Sequence, residues 1–286
     1  MKLAQEAIAH YQNAYAQARR ILLEKKKLRM PLTPFSLNTI LNESTISHKE
    51  DMGVLEIPTN LISGVDEESE CSRLYTKEFL PVSAPASDYA AQWCRLYRMI
   101  QSGHGFRKPI FCYEYLGRFY VRDGMKRVSV ANAAGMTCIR AHVIRILPRY
   151  TDDPACARYY SFLFQYRLTK LYQIQFTQPG FFAEFQSGLG FKPAYRWTGR
   201  DRTYFLSRWN KIEDAFHKSY ADSLLITAAD ALVILMRKHP FEQIASMESW
   251  MLAKLFLTFW KEFHARNLAV QAGPMAAGTA DTEQSA

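Results

Sequence analysis

The sequence is most informative first for what it lacks. Its five cysteines, Cys71, Cys94, Cys112, Cys138 and Cys156, are scattered and include no Cys-x-x-Cys pair. That argues against a disulfide scaffold or a zinc ribbon and fits reduced thiols in a cytoplasm. The seven histidines also lack metal-ligand spacing, so no metal site is expected. No apolar run is long enough to cross a bilayer, so no membrane partner is expected. The amphipathic start of the chain holds Glu6, which is unlike a signal peptide. No internal repeat is visible. Together these absences lead to the expectation of a cytoplasmic protein.

What is present is globular and basic. Hydrophobic residues make up 48% of the 286, enough to bury a core in one large or two ordinary domains. The net charge of +9 favours an anionic partner such as DNA or a nucleotide, although excess charge also aids solubility.

One stretch organises the rest. Ile110–Tyr115 and Arg118–Arg122 are rich in aromatic and β-branched residues, and Leu116-Gly117 between them suits a hairpin turn. A helix is predicted over Gly124–Ala134, with Asp123 as its N-cap and Gly135 just past its end, where positive φ is needed. Cys138–Ile146 then returns as a strand.

The chemistry is expected at the strand-to-helix junction, Arg122-Asp123-Gly124-Met125-Lys126-Arg127. A helix start offers unpaired N–H donors and the positive end of the dipole. Gly124 would let a ligand approach the backbone, and Lys126 and Arg127 add cations that the dipole alone disfavours. Two readings stand side by side: a phosphate-binding helix start, or a capped helix followed by two solvated cations.

The block Tyr120-Val-Arg-Asp-Gly-Met-Lys-Arg-Val-Ser-Val-Ala-Asn-Ala-Ala-Gly135 resembles the signature of the ParB/sulfiredoxin-like superfamily, in its bacterial ParB-like branch. That branch reads V-x-D-G-H-H-R-V-S-V-A-x-A-x-G before a strand ending A-x-V, which Ala141 and Val143 match. Upstream, Ile57-Pro58 and Leu61-Ile62-Ser63-Gly64 look like the family's opening strand and short helix, and Glu78–Pro81 and Trp93 like its middle. The resemblance covers residues 53–148. It implies an α/β (α+β) fold and a nucleotide, CTP or ATP with Mg²⁺, or another phosphorylated ligand. The site residues it implies are Arg122, Gly124, Met125, Lys126 and Arg127, with Asp123 as the catalytic candidate. Met125 and Lys126 replace the family's two histidines. Met125 also stands where sulfiredoxin-type enzymes carry a reactive Cys and where the chromosome-partitioning members carry the Glu of Gly-Glu-Arg-Arg.

The remaining chain frames this domain. Residues 1–52 read as an N-terminal helix (3–29) and a connector. Ile8, Tyr11, Tyr15, Ala18 and Leu22 fall at helical spacing, and the helix ends in a basic run that is either a nucleic-acid or lipid arm or a dipole-favoured last turn. Val54–Ile57 suits a short strand, Asp66–Glu70 an exposed acidic loop, and Asp88 the cap of a helix reaching about Ser102. His104, between two glycines, is read as a solvated loop residue. Residues 149–270 read as a mostly helical domain, with loops and short strands over Phe176–Gly199 and a capping-box start at Thr227–Asp230. A last helix opens at Ser246 or Ser249 and carries the apolar stripe Leu252, Leu255, Phe256, Phe259, Phe263, which suits a core or a protein partner. A disordered tail is expected over 271–286.

Three functions follow: a ParB-like binding module coupled to DNA or a protein through the C-terminal helices, a phosphoryl-transfer enzyme (nuclease, nucleotide hydrolase or small-molecule kinase), or a degenerate member acting as a structural partner. Phosphoryl transfer usually needs a carboxylate for metal or base. Asp123 is the nearest, with Glu114 and Glu56 behind it.

Overall fold

The structure is a computed structural model that describes residues 2–219 and 226–271, with side chains for 3–219 and 226–263. Residues 272–286 of the expected disordered tail lie outside the described residues, as does Tyr220, the expected last residue of a helix from Asp201. The chain divides into two compact units, residues 1–162 and 163–286.

The first unit is mixed α/β. Six strands, β1 (Phe35–Ser36), β2 (Ile46–Pro58), β3 (Ile62–Val65), β4 (Ile110–Tyr115), β5 (Arg118–Asp123) and β6 (Cys138–Pro148), form one sheet in the order β1-β3-β5-β4-β6-β2. The β4–β5 and β2–β6 pairs are antiparallel, and the other three are parallel. The β4–β5 hairpin closes through Leu116 (φ 50°) and Gly117 (φ 76°), the two left-handed residues that a tight hairpin needs to match strand twist. β2 is much longer than the expected strand at Val54–Ile57, and it takes up residues 46–53 of the expected connector. The Leu61–Gly64 segment expected as a short helix is instead a single 3₁₀ turn, Thr59–Leu61, followed by β3.

Among the described residues, helices α1 (Lys2–Lys27), α2 (Asp88–Gln101) and α3 (Met125–Ala133) lie in this unit with the sheet, and the first part of the following helix, from Pro154, also belongs to it. Residues 1–52 therefore fold with 53–148 in one unit. α1 buries Ala7, Tyr11, Ala14 and Ala18, while Ile8, expected on the apolar face, is half exposed. Tyr11 packs with Trp93 and Tyr97 of α2 and Val130 of α3, and its hydroxyl donates to the Ser83 carbonyl at 2.8 Å. The basic end of α1 is thus the last turn of a packed helix, and Lys25 pairs with Glu78. Ser87, not Asp88, caps α2, its hydroxyl accepting from the Ala90 N–H at 3.2 Å.

α4 (Pro154–Thr169) starts where expected, and the Asp153 carboxylate accepts from the N–H groups of Ala155 and Cys156. The second unit is helical: α5 (Phe181–Gly188), α6 (Gly199–Ser219), α7 (Ala228–Met236), α8 (Phe241–Ser246) and α9 (Ser249–Gln271). Where Phe176–Gly199 was expected to form loops and short strands, α5 forms; it buries Phe182 and Phe185 against Trp197 and Phe205. Thr227 and Asp230 make the expected capping box, and buried Asp230 also accepts from the backbone and hydroxyl of Thr177. Leu252, Phe256 and Phe259 of α9 are buried in this aromatic core. Among the described residues, no helix is long and apolar enough to cross a membrane.

Candidate functional site

Gly124 turns the chain from β5 into α3 with φ 105°, a conformation only glycine adopts cheaply. Its carbonyl accepts the first helical bonds, from Arg127 N at 2.8 Å and Val128 N at 3.1 Å. Asp123 is the last residue of β5 and does not cap the helix, contrary to the sequence expectation. The glycine after it occupies the cap, and the Asp123 carboxylate, 77% exposed, instead accepts from Arg127 Nη2 at 2.7 Å. Gly135 adopts the expected left-handed conformation at the other end, φ 68°.

Arg127 is engaged on three sides. Besides Asp123, its Nη1 donates to the carbonyls of Lys108 at 2.8 Å and Pro109 at 2.7 Å, and only 15% of the side chain is exposed. A Cβ on Gly124 would stand 2.8 Å from Arg127 Nη2 and 2.6 Å from Ile110 Cγ2. The space that the glycine opens is therefore occupied by the protein's own guanidinium. Arg127 clamps the segment leading into β4 to the start of α3.

The other two cations point elsewhere. Arg122 donates to the Tyr113 hydroxyl at 2.5 Å and lies 3.9 Å from the Asp66 carboxylate, with its guanidinium over the Phe111 and Tyr113 rings. The side chain remains 57% exposed. Burial pushes the Asp66 carboxyl above its ordinary range, against the pull of Arg122. Lys126 is half-buried; its ammonium donates to the Gln92 side-chain oxygen and stands 4.6 Å above the Tyr89 ring. Among the described residues it forms no ion pair, and burial holds its pKa below the ordinary lysine value. Met125, also half-buried, brings no charge.

The alternative carboxylates are placed differently. Glu56 is exposed on edge strand β2, which β6 and β4 separate from β5. Glu114 is fully buried on β4. It accepts from Arg145 Nε at 2.5 Å, the Tyr159 hydroxyl at 3.0 Å and the Gly117 N–H at 2.8 Å. Burial pushes its carboxyl upward, against the lowering effect of Arg145. Ser129, further along α3, is buried and accepts from the Trp93 indole at 3.0 Å, which makes it a packing residue. No group of three or more His, Cys, Asp or Glu side chains among the described residues could hold a metal ion. Mg²⁺ usually binds through one or two carboxylates plus substrate phosphates, and Asp123 is the exposed carboxylate at the junction that fits such a role.

The junction thus brings Asp123, Gly124 and Arg127 into one bonded cluster and leaves Arg122 and Lys126 facing separate neighbours. Sequence reasoning missed Gln92, Tyr89, Tyr113 and Asp66 as the partners of these cations. In the sequence Tyr89 is only the residue after the expected cap Asp88, and nothing local signals its cation contact. No protein-family model and no curated protein matches the chain.

Proposed function

We propose that the β5–α3 junction of a ParB-like domain holds a phosphorylated ligand, a nucleotide being the best fit, and that the protein is a binding module. The observation that carries this reading is Lys126: a partly desolvated ammonium in the first turn of a helix that forms no ion pair with a carboxylate among the described residues. A phosphate there would meet the positive end of the helix dipole and draw the Lys126 ammonium from Gln92, and the exposed Arg122 guanidinium would have to turn from Tyr113 to reach it. The signature-like block Tyr120–Gly135 and the mixed sheet that ends in this helix support the ParB/sulfiredoxin-like assignment. Arg127 shapes the site by clamping its floor. The excess positive charge supports coupling of this domain to DNA or to a protein through the helical second unit.

A second reading, phosphoryl transfer, is favoured by one feature, the 77% exposed carboxylate of Asp123 beside the cations. In that case Mg²⁺ with a nucleotide would supply charge neutralisation at the phosphates, Asp123 would help hold it, and Lys126 and Arg122 would bind and orient the phosphate chain.

The test is a thermal-shift screen of nucleotides with and without Mg²⁺. A ligand that binds only the folded state, at a hundred times its Kd, adds about 2.7 kcal/mol. CTP or ATP is expected to raise the melting temperature saturably. Metal-dependent turnover of the nucleotide would favour the enzyme reading. No shift with any nucleotide at millimolar concentration would contradict both.

A further inference from the structure

A second cationic feature of the first unit lies apart from the junction. A cleft of about 520 Å³ is lined by Arg95, Arg98, Met99 and Ser102 of α2 and its end, His104 and Arg107 of the following loop, and Leu3 and Ala4 of α1. Its volume is in the range of small-molecule sites. Arg95, Arg98 and Arg107 are exposed, and no hydrogen bond or ion pair among the described residues engages any of their guanidinium groups. No acidic side chain lines the cleft. Glu6 of α1, the acidic residue noted beside this helix pair, lies near the Tyr97 hydroxyl and forms no ion pair with the three arginines.

Lack of an ion pair does not by itself single these arginines out, since Arg118, Arg140, Arg149 and Arg158 also form none among the described residues; what sets Arg95, Arg98 and Arg107 apart is that all three line one cleft. Arg127, Arg145 and Arg122 are each matched by a carboxylate. Arg95 and Arg98 are three residues apart on one helix, where like charges face and repel each other. A ligand with several negative oxygens would relieve that repulsion and fill the forks of more than one guanidinium at once. Leu3 and Met99 give the cleft an apolar wall on which a flat or aliphatic group could rest.

We propose that this cleft binds a small ligand bearing a di- or triphosphate chain, with Arg95, Arg98 and Arg107 gripping the phosphates. The site shares no residue with the β5–α3 junction and does not depend on its assignment. An inorganic polyphosphate and a nucleoside polyphosphate offer the same charged group, and the apolar wall favours the second.

The experiment is calorimetric titration of the full chain with tripolyphosphate, ATP, orthophosphate and a twenty-residue oligothymidine. It is done in a Lys126→Ala/Arg122→Ala background, so that the junction's own cations do not contribute. Tripolyphosphate and ATP are expected to bind, ATP more tightly, and orthophosphate at least tenfold more weakly. Adding Arg95→Ala, Arg98→Ala and Arg107→Ala together should weaken tripolyphosphate at least tenfold, with the melting temperature of the free protein unchanged. If the triple change fails to fold, Arg98→Ala and Arg107→Ala are tested singly, and each should weaken binding severalfold. Unchanged tripolyphosphate affinity in these variants would overturn the proposal. So would an oligothymidine that binds tenfold more tightly than ATP and loses its affinity with the same arginines, because the cleft would then be part of a nucleic-acid surface.

Discussion

Two charged groups lie on the neighbouring strands β4 and β5, and they are built in opposite ways. Around Glu114 every charge is closed off: carboxylate, Arg145 guanidinium, Tyr159 hydroxyl and Gly117 N–H satisfy one another where Glu114 is wholly buried. At the start of α3 the charges are open: Asp123 and Arg122 are mostly exposed, and Lys126 is partly desolvated with no ion pair among the described residues. The closed cluster can only stabilise the fold, because no valence remains for a ligand. The open one contributes little to stability and retains binding capacity. Arg127 is closer to the first kind although it lies in the second, since three of its five N–H donors are used on Asp123, Lys108 and Pro109 and its side chain is mostly buried.

The sharpest way to break this comparison is to open the closed cluster. Glu114→Ala leaves the Arg145 guanidinium in a buried site without its main carboxylate, and removing one partner of a buried pair costs about 3–5 kcal/mol. Urea denaturation of the variant should show a midpoint far below wild type. A variant as stable as wild type would mean that the cluster is not what holds β4 to β6.

A half-buried carboxylate with no ion pair among the described residues sharpens the same contrast. Glu213 on α6 has its carboxyl pushed up to about 7 by burial, from an ordinary value of 4.5. The folded state therefore holds this proton more tightly than the unfolded one. The linked stability is full below about pH 4.5 and is lost as pH rises through 7, by up to about 3 kcal/mol. Glu213→Gln should be more stable than wild type at pH 8 and should flatten the decline between about pH 4.5 and 7 in thermal melts. An identical pH profile in the two proteins would contradict this.

Arg127→Ala has a smaller effect. On sequence alone Arg127 reads as a ligand contact whose loss hardly lowers stability, against the alternative of a structural ion pair with Glu56 or Glu114. Its bonds to two carbonyls instead predict a loss of about 1–2 kcal/mol in the ligand-free protein, with the exposed Asp123 pair adding little. Lys126→Ala should cost less than Arg127→Ala, because it breaks no charge pair and loses only the Gln92 hydrogen bond and the contact over the Tyr89 ring.

Much of the local architecture was legible in the sequence because its causes are local. The Leu116-Gly117 turn, the α3 helix between Gly124 and Gly135, Pro154 at the start of α4 and the Thr227–Asp230 capping box all depend on residues within a few positions. The first half of β2 was not legible. Residues 47–51 are polar and exposed on an edge strand, so they carry no alternation to read. α5 was hidden by Pro179-Gly180 and Gly188, which read as breakers but stand at its two ends. At the site, the sequence identified the junction but not its wiring. Asp123 is a good cap by composition, yet Gly124 takes the cap and frees the carboxylate for Arg127. Lys108 and Pro109 meet Arg127 only because β4 lies beside β5, and Glu114 meets Arg145 only through the parallel register of β4 and β6. Neither pairing leaves a mark in local spacing.

The central claim is that the open charges at the start of α3 are there for a phosphate. The direct measurement is the affinity of wild type, Lys126→Ala and the Lys126→Ala/Arg122→Ala double variant for the best nucleotide of the thermal-shift screen, at fixed salt. A lost charge-assisted bond costs about 1.5–3 kcal/mol, so Lys126→Ala should weaken binding roughly ten- to a hundredfold, and the double variant further, while both melt like wild type without ligand. Wild-type affinity in the double variant would contradict the account.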